Sequence, residues 1–421
     1  MGKNMPKKAG QADKVIRAQD RKKFDFLEGD PRRIEATTEY PVMYHALGTE
    51  PRTEHPFHVY EDISSEPTAV RATLDVTQDA VDTVANEFIK RDINHVVGIG
   101  MGTSQFVQQA CGPAFWEWGG ITTEDRDSVE FLTYNKPYDY EHTAFFAMSG
   151  SGATFDTIEA TKKAKEQGMY CVAITSVAGS PLTQVTHNTI ACAGGFDTGG
   201  SDTFHYATRL AASLALACKL GEVKGTGVAD FPSLREELFA VPNLMADRWD
   251  ELDARCRSIA KYTCRLRSVI IVGAGPNFGS AEEMELKFEE MASIPAKSMV
   301  PTRHLHGALG LTDEKILTIL LHPKNNTEKW FDQIAKFTSY VKTPSMAIVP
   351  DSEENISSMM DYIIRTPVEN EHLFALYVVP AIQLFPYYCA VEQGNLNPDC
   401  QRSNIPKYAR AWSLVLKPGG H

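Results

Sequence analysis

The chain has 421 residues, 43% of them hydrophobic and 23% charged, with a formal net charge of −12. That length allows two domains with substantial cores, and the acidic balance excludes general affinity for nucleic acid or an anionic membrane surface. An anionic ligand must therefore be held by local groups, against the overall field.

Residues 1–60 are polar and read as an N-terminal extension. The first 25 are rich in Lys and Arg, but Asp13, Asp20 and Asp25 argue against a transit peptide, and no apolar leader follows. A helical pattern runs from Tyr60 toward Ala85 and Phe88. His95 to Ser104 gives a strand and a Gly-rich turn, followed by a helix through Ala110. Thr143 to Met148 is an apolar strand, and helical spacing follows from Thr154 to Gln167, ending at Gly168. Tyr170–Thr175 and Val185–Ala193 supply two further strands, and Tyr206–Leu220 a long helix. After a connecting helical segment (Pro232–Asp253) the pattern restarts, with a strand and Gly turn at Ser268–Gly275 and a helix from Ala281 to Ser293. Lys315–Leu321 and Ser345–Val349 are apolar runs, each followed by helical sequence. The longest apolar stretch, Leu373–Val391, contains Gln383 and two prolines, and reads as a buried, kinked helix rather than a membrane span. Strands alternating with helices predict an α/β protein with parallel sheets. The economical division is one unit over residues 61–230, a connector over 231–255 and a second unit over 256–421.

The eight cysteines (111, 171, 192, 218, 256, 264, 389 and 400) form neither a CxxC pair nor a zinc spacing, so reduced thiols in the cytoplasm are expected. Neither Gly98-x-Gly100 nor Gly273-x-Gly275 continues into a full dinucleotide fingerprint, which argues against a nicotinamide cofactor. The richest turn is Ser149-Gly150-Ser151-Gly152-Ala153-Thr154. A strand-to-helix turn of this composition aims free N–H groups, hydroxyls and the positive helix end at one spot, as a phosphate requires. The same residues also suit an ordinary capped helix start, with Thr154 or Ser151 as the cap. In the second unit, Glu283, Lys287 and Glu290 share one helix face beside an apolar stripe of Met284, Phe288 and Met291. A solvated i,i+4 pair would show the same spacing. His304-x-His306 offers a possible metal pair without an evident third ligand.

Taken together these motifs resemble the double SIS (sugar isomerase) domain family, over about residues 60–421. The chain is similar to the isomerase half of glucosamine-6-phosphate synthase, to amino-sugar-phosphate deaminases and to fructosamine-6-phosphate deglycases. The resemblance implies two flavodoxin-like subdomains, and a sugar phosphate gripped by Gly102-Thr103-Ser104 and by Ser149, Gly150, Ser151 and Thr154. It places Glu283, Lys287 and Glu290 on the family's Glu-x-x-x-Lys-x-x-Glu helix and the family histidine on His306. Asn404-Ile-Pro-Lys407 matches the C-terminal lysine pattern loosely. The chain departs from the family at Thr302-Arg303, at Ala308, and at Asp202-Thr203-Phe204 (or Ser201 with a shift), where the family has Ser-Thr-Lys. No glutaminase half accompanies these domains in the 421 residues, so transfer of ammonia from glutamine is not expected of this chain alone.

The chemistry implied is aldose–ketose transfer on a phosphorylated sugar, extended to C–N cleavage when the substrate carries an amine. Glu290 is the expected base, raised in pKa by partial burial. His306 would open the sugar ring; in this family the histidine can come from a partner subunit, so a homodimer or higher homo-oligomer is expected. Lys407 would form an imine or neutralise the open-chain oxygen. Arg303 would pair with a second substrate anion, or else with a protein carboxylate such as Glu283. No metal or organic cofactor is called for. The alternative reading is a non-catalytic sensor that binds a sugar phosphate and regulates a partner.

Overall fold

The computed structural model describes residues 52–415 apart from 196, 395, 401, 403 and 404. Most of the polar N-terminal stretch and the last residues of the tail, with Asn404, therefore lie outside the described residues. In the first half, β1 (His95–Gly100), β2 (Thr122–Asp127), β3 (Thr143–Ser149), β4 (Tyr170–Thr175) and β5 (Asn188–Ala191) form one sheet in the order β2-β1-β3-β4-β5. In the second half, β6 (Ser268–Val272), β7 (Ala296–Met299), β8 (Ile316–Leu321), β9 (Ser345–Pro350) and β10 (Tyr362–Thr366) repeat the winding in the order β7-β6-β8-β9-β10. All neighbouring pairs in both sheets are parallel. This is the flavodoxin-like order, whose crevice opens where the chain leaves β1 and β3 in opposite directions.

The interior strands β3, β4, β8 and β9 are buried at every residue. Helices cover both faces, so continuous apolar runs are what such strands need. The helical pattern beyond Tyr60 resolves into three helices, His58–Ser64, Glu66–Val76 and Gln78–Lys90, interrupted at Ser65 and Thr77. Helices Phe231–Asp247 and Trp249–Thr263 link the two sheets. The long apolar stretch is two successive helices, Glu371–Tyr377 and Val379–Gln393. Together they have the length and composition to cross a membrane, but they are packed inside the protein.

Two contacts fix how the halves meet. Helix Pro276–Lys287 crosses helix Thr103–Glu117 at Gly279, where an added Cβ would lie 2.6 Å from the Phe106 carbonyl oxygen and 2.7 Å from the Ala110 nitrogen. Only a residue without a side chain allows that approach. From the other side, the start of the described chain is tied to the second half. His55 Nδ1 lies 2.7 Å from the Tyr387 hydroxyl, and Asp399 accepts the backbone N–H groups of His58 and Val59 at 3.0 and 2.8 Å.

Candidate functional site

The crevice between β1 and β3 is walled by two turns, each leading into a helix whose first residue lacks a side-chain cap. In the first turn Gly102 reverses the chain at φ +53° and delivers Thr103 and Ser104, both buried. In the second, Thr154 and Ser151 do not cap the helix Phe155–Glu166. The Thr154 hydroxyl instead lies 2.9 Å from Ser149 Oγ, Ser149 Oγ accepts Gly152 N–H at 3.0 Å, and Ser151 Oγ accepts Ala153 N–H at 3.2 Å. The capped-start reading of these residues is thereby removed, and the start of the helix Phe155–Glu166 keeps its N–H groups and positive dipole for an anion.

Behind the second turn lies a charged tetrad of which the sequence reading singled out only Asp202: Asp197 and Asp202, both partly buried, with His205 and Arg209 enclosed. A Cβ on Gly150 would sit 2.6 Å from His205 Nδ1 and 3.4 Å from Asp202 Oδ2, so the turn rests directly on the tetrad. Arg209 is fully buried and donates from Nε to the His205 carbonyl at 2.8 Å, from Nη2 to Asp202 Oδ2 at 2.8 Å, and from Nη1 to Ser104 Oγ. One guanidinium thus ties the two turns together. Because arginine only donates, Ser104 Oγ must accept, which leaves its hydroxyl proton free to be given elsewhere.

His205 Nε2 faces the Gly195 carbonyl at 2.7 Å, while Nδ1 faces Asp202 at 2.9 Å and Asp197 at 3.2 Å. Both nitrogens meet acceptors, so both carry hydrogen. Burial opposes charge on this ring, but Asp197 and Asp202 outweigh it and push its pKa up to about 10. Burial would likewise raise Asp202, yet Arg209 and His205, helped by Lys287, hold it well below the usual carboxylate range. Asp197, more dominated by burial, is pushed up to about 7. The loop carrying Asp197 and Asp202 is held in place by Asp62, which accepts the N–H groups of Thr198 and Gly199 at 2.7 and 2.6 Å.

The third component arrives from the second half. The crossing at Gly279 lays Lys287 against the first turn, with Nζ 3.3 Å from Thr103 Oγ1, 2.7 Å from Glu290 Oε2 and 3.5 Å from Glu283 Oε1. Lys287 and Glu283 are fully buried, whereas the Glu290 side chain keeps 20% of its surface exposed. The i,i+4 pair is therefore not a solvated one. Burial penalises the Lys287 ammonium, but Glu283, Glu290 and Asp202 together hold it charged, above the ordinary lysine range. Glu283 is pushed up to about 8 by burial, which the nearby Lys287 only partly offsets. Gln383, an isolated amide in the apolar stretch, donates at 3.2 Å to both Glu283 Oε1 and the Thr203 carbonyl. The regular helix ends at Lys287, and Glu290 lies in a π-turn, Phe288–Ala292, closed by Ser293 at φ +52°. Such turns recur at functional sites.

Three of the expected residues stand apart. Arg303, His306 and Lys407 are exposed, and none has a side-chain hydrogen bond or ion pair with another described residue. The suggested Arg303–Glu283 pair is not made, because Glu283 is inside with Lys287 and Gln383. His304 and His306 do not form a metal pair. His304 is buried, with its pKa lowered by that burial to about 4, while His306 lies at the surface. Among the described residues, ligand atoms of Asp197, Asp202 and His205 are close enough together to surround a cation. The imidazolium proton and Arg209 already balance those two carboxylates. Glu117, Glu371 and His372 form a second such group, with His372 Nε2 2.9 Å from Glu117. All eight cysteines are free and buried.

The family model for the SIS domain matches this chain twice, over residues 90–218 and 264–392. The glutamine–fructose-6-phosphate aminotransferase [isomerizing] of Thermococcus kodakarensis is 27% identical over 353 residues, covering 83% of this chain and 57% of that protein. The chain spans about half the length of the curated relatives it matches. Among solved structures, the C-terminal domain of glucosamine-fructose-6-phosphate aminotransferase from Francisella tularensis superposes with a TM-score of 0.75 at 20% identity. That match covers 82% of this chain and 98% of that one. Tagatose-6-phosphate ketose/aldose isomerase from Escherichia coli gives 0.68 at 18% identity, covering 84% and 97%.

Proposed function

Since this chain belongs to the SIS domain family, with both halves matched, we propose that it is a phosphosugar enzyme of the isomerase type that deaminates or deglycates an amino-sugar or fructosamine 6-phosphate. The observation that carries this reading is the unbroken path from phosphate turn to carboxylate. The 149–154 turn rests on Asp202 and His205, Arg209 joins them to Ser104, and Thr103 meets Lys287, which holds Glu290. A sugar phosphate anchored at one end of that path presents its C1–C2 edge at the other.

In this reading Glu290 removes the hydrogen beside the carbonyl or imine and returns it at the neighbouring carbon. Lys287 keeps the carboxylate oriented and lends positive charge to the enediol or enolamine oxygen. When nitrogen sits on the reacting carbon, one water adds to the imine carbon and the C–N bond breaks, giving a carbonyl and a free amine. His306, exposed and unengaged, is available to serve the site of a second copy, and Lys407 to enter from the tail. Arg303, equally unengaged, suits the carboxylate of an amino-acid conjugate. The relatives' own names, an aminotransferase and a ketose/aldose isomerase, support chemistry on fructose- and tagatose-type phosphates.

The test is Glu290→Gln, assayed on a panel of hexose, hexosamine and fructosamine 6-phosphates for ammonia, amine and ketose release. Turnover and solvent-deuterium exchange at C1 or C2 should vanish while binding stays within a few-fold. Retention of more than about a tenth of the wild-type rate, outside the low end of general-base contributions, would remove Glu290 as the base.

A further inference from the structure

Asp202 has no need to be open if its task is only to anchor Arg209. Its two partners are essentially enclosed, Arg209 at 0% and His205 at 5% side-chain exposure, yet Asp202 keeps 24%. Oδ1 is buried beside His205 Nδ1 at 2.9 Å, whereas Oδ2 accepts from Arg209 and keeps a further lone pair. Its surroundings say what that open side meets. Gly150 of the phosphate turn lies against Oδ2, Arg209 links it to Ser104 of the other turn, and the Lys287 ammonium is near enough to feel its charge. The carboxylate thus lies between the 149–154 turn and the Lys287–Glu290 pair, the two ends between which the phosphosugar reading stretches its substrate.

We propose that Asp202 recognises a protonated amine at C1 or C2 of the substrate, and so selects amine-bearing sugar phosphates over their all-hydroxyl counterparts. This rests on the phosphosugar reading above and assigns a residue to its nitrogen. A carboxylate can only accept, and two fixed cations keep Asp202 ionised, so it favours a donor that is itself charged. A hydroxyl in the same place makes the weaker, neutral bond. His205 and Arg209 are then positioning residues, which fix the carboxylate and are not themselves available to the substrate.

The experiment uses the full chain and unreactive open-chain ligands: glucitol 6-phosphate and its 1-amino-1-deoxy and 2-amino-2-deoxy analogues, titrated calorimetrically. Wild type should bind one amino analogue about tenfold or more tightly than glucitol 6-phosphate, the range expected of a charge-assisted bond. Asp202→Asn should bring the ratio to within about twofold, the ratio being read against the variant's own affinity for glucitol 6-phosphate. Equal binding of all three by wild type overturns the inference whether or not the variant folds. So does a variant that keeps the preference, or one that loses all three ligands equally. If wild type binds none of the phosphates, the phosphosugar reading falls as well. If it binds them without preference, only the role of Asp202 does.

Discussion

Replacing Glu283 by Gln should flatten the alkaline side of the stability curve. The folded carboxyl titrates at about 8 against an ordinary value of 4.5, so between those values the folded chain holds a proton that the unfolded chain has released. Stability therefore falls as pH rises from about 4.5, and the loss is complete once pH passes about 8. A shift from 4.5 to about 8 corresponds to a ceiling of about 5 kcal/mol, at about 1.4 kcal/mol per unit. The amide resembles the protonated acid, accepts from Gln383 and never ionises, so it escapes that loss. Wild type and Glu283→Gln should then be nearly equally stable in urea at pH 5. At pH 9 the variant should be the more stable by a few kcal/mol. Asp197 and Glu282, both pushed up to about 7, titrate in the same window, and the difference between the two proteins cancels them. Parallel stability–pH curves would refute the reasoning, because they would mean that Glu283 titrates alike in the folded and unfolded chains.

Ser151→Ala combined with Thr154→Ala should weaken phosphorylated ligands by roughly 1.5–3 kcal/mol per hydroxyl bonded to a charged acceptor, and barely affect non-phosphorylated ones, as titration of each ligand type would show. Gly150→Ala brings a methyl group within 2.6 Å of His205 Nδ1. The ring is pinned on both sides, so overpacking should cost about 1–3 kcal/mol in denaturant unfolding and weaken phosphate binding with it. Arg303→Ala should raise KM for a carboxylate-bearing fructosamine 6-phosphate by more than about tenfold and leave a simple hexosamine 6-phosphate unchanged. Arg303→Lys should rescue only in part. Equal loss on both substrates, with a lowered Tm, would return Arg303 to a structural role.

The strands that could be read from the sequence are those buried on both faces, such as Thr143–Ser149 and Ile316–Leu321, where apolar character is continuous. Thr122–Asp127, Ala296–Met299 and Tyr362–Thr366 escaped notice because they lie toward the sheet edges and are short or largely polar. Hydroxyl and glycine turns show in the chain because they are contiguous. The spacing of Glu283, Lys287 and Glu290 was equally visible, but that it is buried was not, since helix periodicity cannot tell a solvated ion pair from an enclosed one. The tetrad is legible only in three dimensions. Arg209 sits inside an apolar helix, and a buried arginine announces itself only through its partners. Gln383 gave the same kind of signal, a lone polar residue in an apolar run, and it proved to bridge Glu283 to the Thr203 carbonyl.

The contact at Gly279 bears on how the two halves can move against one another. There the helix that follows β1 and the helix that leads to Glu290 touch backbone to backbone, so the floor of the site belongs to neither half alone. Two lobes joined by a flexible linker can part like jaws, whereas two lobes fused at their central helices cannot. The helix Pro406–Val415 has no share in that seam, and it follows Arg402, whose Nε donates to Ser293 Oγ at 3.1 Å at the end of the π-turn. The turn at Gly102 and the π-turn bearing Glu290 therefore share one bed, set by that helix crossing rather than by a linker.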